Sequence, residues 1–202
     1  MRRLLSLIVA MGALHGAAAP LRVLFLGNSY TYYHHLAGLV EGMARAAGGR
    51  PIEARSVTLG GATLEALYRE TEALTILRGG KWDVVVLQEQ STLGVHIHNG
   101  DAVINLPAAF HTWARVWDTE IRAHGARTAF LQTWARRGRP EQQPHLNWSY
   151  ASIAKELNAA VIPAGMAFQL ADGIELYQPD GSHPSAAGSY LAACVAVQVL
   201  AG

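Results

Sequence analysis

Along this chain, short apolar runs with β-branched residues alternate with longer segments in which apolar positions return at helical spacing. The runs are Leu21–Leu26, Ile52–Thr58, Trp82–Leu87, Thr128–Gln132 and Ala160–Pro163. The helical segments are about Leu36–Ala47, Leu64–Leu77, Leu106–His124, Leu146–Leu157 and Ser185–Leu200. Gly48-Gly49, Gly79-Gly80, Gly125 and Gly173 punctuate them as helix stops and turns. Such alternation predicts an α/β fold, a parallel sheet covered by helices on both faces. The loops after Leu26, Thr58, Leu87 and Gln132 then open at one edge, the edge where open α/β sheets place ligands. Ser29, Gly60, Gln88 to Ser91 and Trp134 are expected to gather there.

The chain has 202 residues, half of them hydrophobic and 15% charged, enough for one well-buried domain. Its N-terminus reads differently from the rest. Arg2-Arg3 form a positive start, Leu4 to Leu14 an apolar stretch, and Gly16-Ala17-Ala18-Ala19 a run of small residues before Pro20. This predicts a signal peptide over residues 1–19, a mature domain over residues 20–202, and a periplasmic or secreted protein. The apolar stretch falls short of the ~20 residues that span a bilayer, so no stable membrane anchor is expected. A net charge of +1 with no basic run argues against a nucleic-acid partner. Cys194 is the single cysteine, which excludes an intramolecular disulfide. Its apolar surroundings, Tyr190 to Leu200, predict a buried structural thiol.

Ser29 follows Gly27 and Asn28 at the end of the first strand, where small residues permit a tight turn and an exposed hydroxyl. A nucleophilic serine needs a base to take its proton. His183, three residues after Asp180, can be that base, with the carboxylate on its other ring nitrogen. Other readings stand beside these: Ser29 can cap the following helix, and Asp180-Gly181 can be plain turn chemistry. Pro184 suits the first position of the closing helix. Gly60-Gly61, after the second strand, let backbone N–H groups approach a developing oxyanion without a Cβ in the way.

In order and spacing these motifs resemble the SGNH hydrolases, also called GDSL-type esterases, over nearly the whole mature chain. The resemblance implies a three-layer α/β/α sandwich around a five-stranded parallel sheet. It implies Ser29 as nucleophile, Asp180 and His183 as its partners, and an oxyanion hole built from the N–H of Ser29 and a glycine of the Gly60-Gly61 pair. Two positions depart from the family pattern. Asn28 stands where many members carry Asp, and Gln88-Glu89-Gln90-Ser91 replaces the usual Gly-x-Asn-Asp. A glutamine offers the same amide donor on a longer arm, so Gln90 or Gln88 is expected in the oxyanion hole, with Gln90 favoured. Glu89 receives no chemical role.

Asn28, Tyr30, Tyr32 and Trp134 are the candidate substrate contacts, Trp134 as an indole at the cleft mouth that stacks on a sugar ring. His34 and His35 are placed on the start of a helix. His96 and His98 lack a third ligand nearby, so no metal is expected. Arg136, Arg137 and Arg139 read as a solvated loop face, with recognition of an anionic substrate as the alternative. The expected activity is a serine esterase that removes short acyl groups, such as acetyl, from a carbohydrate or small-molecule ester without a cofactor. The alternatives are a non-catalytic carbohydrate-binding module on the same fold, an acyltransferase using the same serine, and a phosphate or nucleotide binder, which the absence of a glycine-rich cradle disfavours.

Overall fold

The computed structural model describes residues 18–94, 97–98 and 101–202; the expected signal peptide lies outside the described residues except for its last two. Five parallel strands form the central sheet: β1 (Leu21–Gly27), β2 (Ile52–Thr58), β3 (Val84–Leu87), β6 (Arg127–Leu131) and β7 (Ala160–Ile162), in the order β2-β1-β3-β6-β7. A second, antiparallel pair joins β4 (Ile97–His98) to β5 (Asp101–Ala102). The helices are α1 (Ser29–Tyr32), α2 (Leu36–Ala46), α3 (Leu64–Glu70), α4 (Ala73–Gly79), α5 (Ala108–Ala123), α6 (Gln143–Leu157), α7 (Ala164–Leu170) and α8 (Ala186–Ala201).

The period-two geometry of the strands sorts their apolar residues into two separate cores. Leu21, Val23 and Phe25 of β1 and Val84 and Val86 of β3 join a cluster with Val40 of α2, Phe168 of α7 and Ala192 of α8. Leu24, Leu26, Val85 and Leu87 point the other way, onto Leu67 of α3, Leu77 of α4, Trp117 of α5 and Ile153 of α6. Buried on both faces, the inner strands must be apolar throughout, and β3 is four fully buried residues. This is the α/β/α sandwich that the motif pattern implies.

The structure departs from the sequence reading in several places, beginning with the unpredicted α1 and the β4–β5 pair. The segment Leu64–Leu77 is two helices, because Thr71 turns extended after α3, donates its hydroxyl to the Leu67 carbonyl and accepts the N–H of Ala73. The short helix α7 has no counterpart in the predicted elements. It holds Gly165, whose bare backbone packs so near the Thr133 carbonyl that a Cβ would stand 2.1 Å from it. Pro184 lies before α8, whose N-cap is Ser185, and pairs with Tyr177 in an isolated antiparallel bridge.

Cys194 is exposed. Helix α8 is apolar all round, so its pattern marks no inner face; the buried side is Gly188, Ser189, Ala192, Ala193 and Ala196, and Cys194 projects away from it. His34 and His35 sit in a tight 3-10 turn before α2, both with left-handed φ (52° and 55°). Among the described residues no helix is long and apolar enough to cross a membrane.

Candidate active site

The C-terminal ends of β1, β2, β3 and β6 lie side by side, with Gly27 opposite Thr58, Leu26 opposite Leu87 and Leu87 opposite Phe130. The loops that leave them, joined by the loop before α8, enclose a cleft of about 330 Å³ lined by Ser29, Tyr30, Gly60, Gly61, Gln90 and His183, among others. A slightly larger cleft, about 390 Å³, lies among Arg22, Glu53, Arg55, Lys81 and neighbours at the opposite strand ends and holds none of the motif residues.

Asn28 follows β1 and is the N-cap of α1. Its side-chain oxygen accepts the N–H of Tyr30 at 3.1 Å and its amide donates to the Ala62 carbonyl at 2.9 Å. Both polar ends are thereby committed and the residue is buried, so Asn28 ties the first loop to the second at the edge of the cleft it helps to line. Ser29 becomes the first residue of α1, and Asn28, not Ser29, does the capping. Gly27 is required here. Thr31 Oγ1 and Gln88 Oε1 lie 2.3 and 2.6 Å from where its Cβ would stand.

The Ser29 hydroxyl lies 2.9 Å from His183 Nε2, and His183 Nδ1 lies 2.5 Å from Asp180 Oδ2. With Nδ1–H donating to the carboxylate, Nε2 is left to accept the serine proton. Asp180 also accepts the backbone N–H groups of Ser182 and His183 on its other oxygen, at 2.9 and 3.0 Å. Desolvation raises the Asp180 carboxyl, but the bonds from the His183 ring and these two N–H groups outweigh it and hold the group down at about 2. The Tyr177–Pro184 bridge and a bond from Gln178 N–H to the His183 carbonyl, 2.8 Å, close this loop at its base.

The two glutamines have different surroundings. Gln88 is buried; its oxygen accepts the Asn28 N–H at 3.0 Å and the Thr31 hydroxyl at 2.8 Å, and its amide donates to the Glu89 carbonyl. Gln88 therefore sits beneath the cleft and is not among the residues that line it. Gln90 lines the cleft, with its oxygen pinned by the N–H and hydroxyl of Thr92, at 2.7 and 2.8 Å, and its amide 3.3 Å from Ser91 Oγ. Among the described residues no acceptor meets the N–H of Ser29, Gly60 or Gly61, and Gly61 turns the second loop with φ 69°.

Glu89 is buried and accepts the N–H groups of Leu64 and Gln90, at 3.1 and 2.7 Å, which fastens the start of α3 to the third loop. Burial pushes its carboxyl up to about 7, against the pull of those two N–H groups.

Trp134 is not at the cleft mouth. It is 1% exposed, stacked between Tyr30 (4.6 Å) and Phe168 (4.1 Å), and its indole N–H donates to the Ser182 carbonyl at 3.0 Å. Its role is to support the loop that carries His183. Tyr30 does line the cleft, with its hydroxyl 2.8 Å from Ser182 Oγ; burial pushes that hydroxyl above its ordinary value and keeps it protonated. Tyr32 lines the cleft and is exposed. Ser91, expected at this edge, and Arg136, read first as part of a solvated loop face, also line it, as does Ser182, which had no assigned role. No three His, Cys, Asp or Glu among the described residues could hold a metal, and His96 lies outside those residues.

No family model and no curated protein matches the sequence. Solved structures do. A candidate SGNH hydrolase from Slackia heliotrinireducens is 27% identical, with 89% of this chain and 98% of that one aligned at a TM-score of 0.72. A lipase/acylhydrolase from Enterococcus faecalis (19% identical, 88% and 94% covered, TM-score 0.67) and an acetyl xylan esterase (17%, 88% and 98%, 0.68) share the fold. With a five-stranded parallel sheet between helical layers and this likeness over nine-tenths of its length, the chain belongs to the SGNH hydrolase superfamily of serine ester hydrolases.

Proposed function

We propose that the chain hydrolyses short acyl esters, acetyl above all, of a carbohydrate or other small alcohol through an acyl-enzyme on Ser29. The observation that carries the reading is the continuous line of hydrogen bonds from Ser29 Oγ through the His183 ring to Asp180. In the first half-reaction His183 Nε2 takes the hydroxyl proton as Ser29 Oγ bonds to the ester carbonyl carbon. Asp180 holds the ring in place and offsets the imidazolium charge. The imidazolium then gives that proton to the leaving alcohol oxygen as the C–O bond breaks. Water repeats the sequence on the acyl-enzyme and releases the acid.

The oxyanion that forms in both halves needs donors already in place. Among the described residues, the N–H of Ser29, those of the Gly60-Gly61 turn and the Gln90 amide are donors of the cleft with no acceptor, or a weak one, of their own. Gln90 thus takes the part that an asparagine plays elsewhere in the family. A cleft of about 330 Å³ is at the small end for ligand sites, which run from roughly 300 to 1,000 Å³. That favours a short acyl group, in keeping with the acetyl xylan esterase among the structural neighbours.

Hydrolysis of p-nitrophenyl acetate, butyrate and octanoate by the wild type and Ser29→Ala, with fluorophosphonate labelling, tests this. Expected are a preference for acetate, a loss on the order of 10⁴-fold or more in Ser29→Ala, and labelling that depends on Ser29. Equal inactivity of both proteins with no labelling would leave a non-catalytic binding module on this fold. We further propose export through the N-terminal leader; a mature N-terminus near residue 20 in a periplasmic or culture fraction is the expected mass-spectrometric result.

A further inference from the structure

We infer that the ester cleaved here carries an anionic oxygen group on its alcohol part, and that Arg136 binds it. The inference rests on the reading of Ser29 as nucleophile. Arg136 lines the same cleft as Ser29, His183, Tyr30 and Ser182. Among the described residues no carboxylate pairs with it, whereas the flanking Arg137 is bonded to Glu175 at 2.5 Å and Arg139 approaches Glu141 at 4.0 Å. Its Nε is buried, with no hydrogen-bond partner among those residues. A buried, unpaired donor on a cation is a standing cost to the fold. Such a cost is retained where an incoming anion relieves it, and a planar guanidinium matches the oxygens of carboxylate or phosphate.

The backbone around Arg136 is built, unlike that of a solvated loop. On one side the Ala135 N–H donates to the buried Gln143 side chain at 2.7 Å, and the Ala135 carbonyl accepts the Tyr177 hydroxyl at 2.8 Å. On the other side the Arg137 N–H donates to the Gly181 carbonyl at 2.8 Å. That last bond ties the arginine loop to the loop bearing Asp180 and His183. His183 is the group that protonates the leaving oxygen, while the free N–H donors of Gly60 and Gly61 come from the opposite side of the sheet order. Arg136 therefore stands on the side where the alcohol departs, which assigns the anion to the alcohol and leaves the acyl group neutral.

The test compares substrates that differ by one charge. O-acetylated galacturonic acid beside its methyl ester tests a carboxylate, and O-acetylated glucose 6-phosphate beside O-acetylated glucose a phosphate. p-Nitrophenyl hemisuccinate beside the butyrate moves the anion to the acyl part. The readout is the ratio of kcat/KM, charged over neutral. A hydrogen-bonded charge pair at a desolvated site predicts about 10- to 100-fold for the wild type in an alcohol-side pair. Arg136→Gln should bring that ratio to about one, with Arg136→Lys between, on the general difference between a fork and a point charge. Added salt should lower the wild-type ratio, which needs no variant to fold. A wild-type ratio near one in both alcohol-side pairs, a ratio that survives in Arg136→Gln, or a preference confined to the hemisuccinate overturns the inference. Turnover of p-nitrophenyl acetate without charge preference strikes the inference alone, whereas no turnover and no fluorophosphonate labelling overturns the nucleophile reading with it.

Discussion

The ring of Tyr33 lies flat against the imidazole of His183, centroids 4.5 Å apart and planes 14° from parallel. Tyr30 meets the same imidazole edge-on at 5.8 Å. His183 is thus held by two aromatic rings as well as by Asp180, and a π face next to it favours the imidazolium that forms during proton transfer. Tyr33 is itself anchored, its carbonyl accepting the Ser189 hydroxyl of α8 at 3.3 Å. Tyr33→Leu, which keeps apolar bulk and removes the ring, should lower kcat for p-nitrophenyl acetate by about 3- to 10-fold, the worth of one aromatic pair. Tyr33→Phe should stay near wild type. Equal kcat in the leucine variant would remove the ring from the mechanism.

Trp134 is predicted to act through stability and positioning. Stacked between Tyr30 and Phe168 and closed to solvent, it should cost about 3–5 kcal/mol of unfolding free energy when cut to alanine, as large buried aromatics do. Trp134→Phe keeps most of the packing and loses the bond to the Ser182 carbonyl, so it should cost about 1–2 kcal/mol. A sugar-stacking role would instead raise KM with little change in the urea midpoint, which is how urea denaturation beside Michaelis kinetics separates the two.

The same residue shows where the sequence stops being informative. An aromatic side chain just past a strand can turn to the rim or to the core. For Trp134 the choice is made by Phe168, which rides on α7, a seven-residue helix with an internal glycine and too little periodicity to read. Cys194 fails for the opposite reason, since a helix apolar on every side carries no record of which face is buried. The inner strands were legible because a doubly covered sheet needs unbroken apolar runs, and Ser29, Asp180 and His183 because each sits in a short motif at a strand end or helix start. Which of Gln88 and Gln90 faces the cleft depends on contacts to Thr31 and Thr92, on two different sides of the site. No spacing rule encodes that.

Those contacts predict different phenotypes for the two glutamines. Gln90→Ala removes a weakly engaged amide from the cleft and should lower kcat by about 10²- to 10³-fold, as for other side-chain oxyanion donors, while the Thr92 N–H that loses its acceptor costs about 1–3 kcal/mol of stability. Gln88→Ala strips the acceptor from the Asn28 N–H and the Thr31 hydroxyl, both buried, and should destabilise by about 1–3 kcal/mol for each group left unpaired. Kinetics and urea unfolding on both variants decide the matter. If Gln88→Ala loses turnover at unchanged stability, the donor has been misassigned.

Glu89 gives the stability of the fold a dependence on pH. Its carboxyl titrates at about 7 in the folded chain against 4.5 as a free side chain. Between those values the folded protein keeps a proton that the unfolded chain has released, so stability falls as pH rises. At about 1.4 kcal/mol per pH unit the loss amounts to about 3 kcal/mol, complete by pH ~7 and absent below pH ~4.5. Asp180, held down at about 2, acts with the opposite sign, its contribution being lost only as pH falls below 3.8, outside this window. Urea midpoints measured at pH 5 and pH 8 should therefore drop for the wild type. In Glu89→Gln, which cannot titrate, most of that slope should vanish, whatever the variant's absolute stability. A slope that persists unchanged would mean that Glu89 is ionised in the folded state at pH 5, with the N–H groups of Leu64 and Gln90 outweighing its burial.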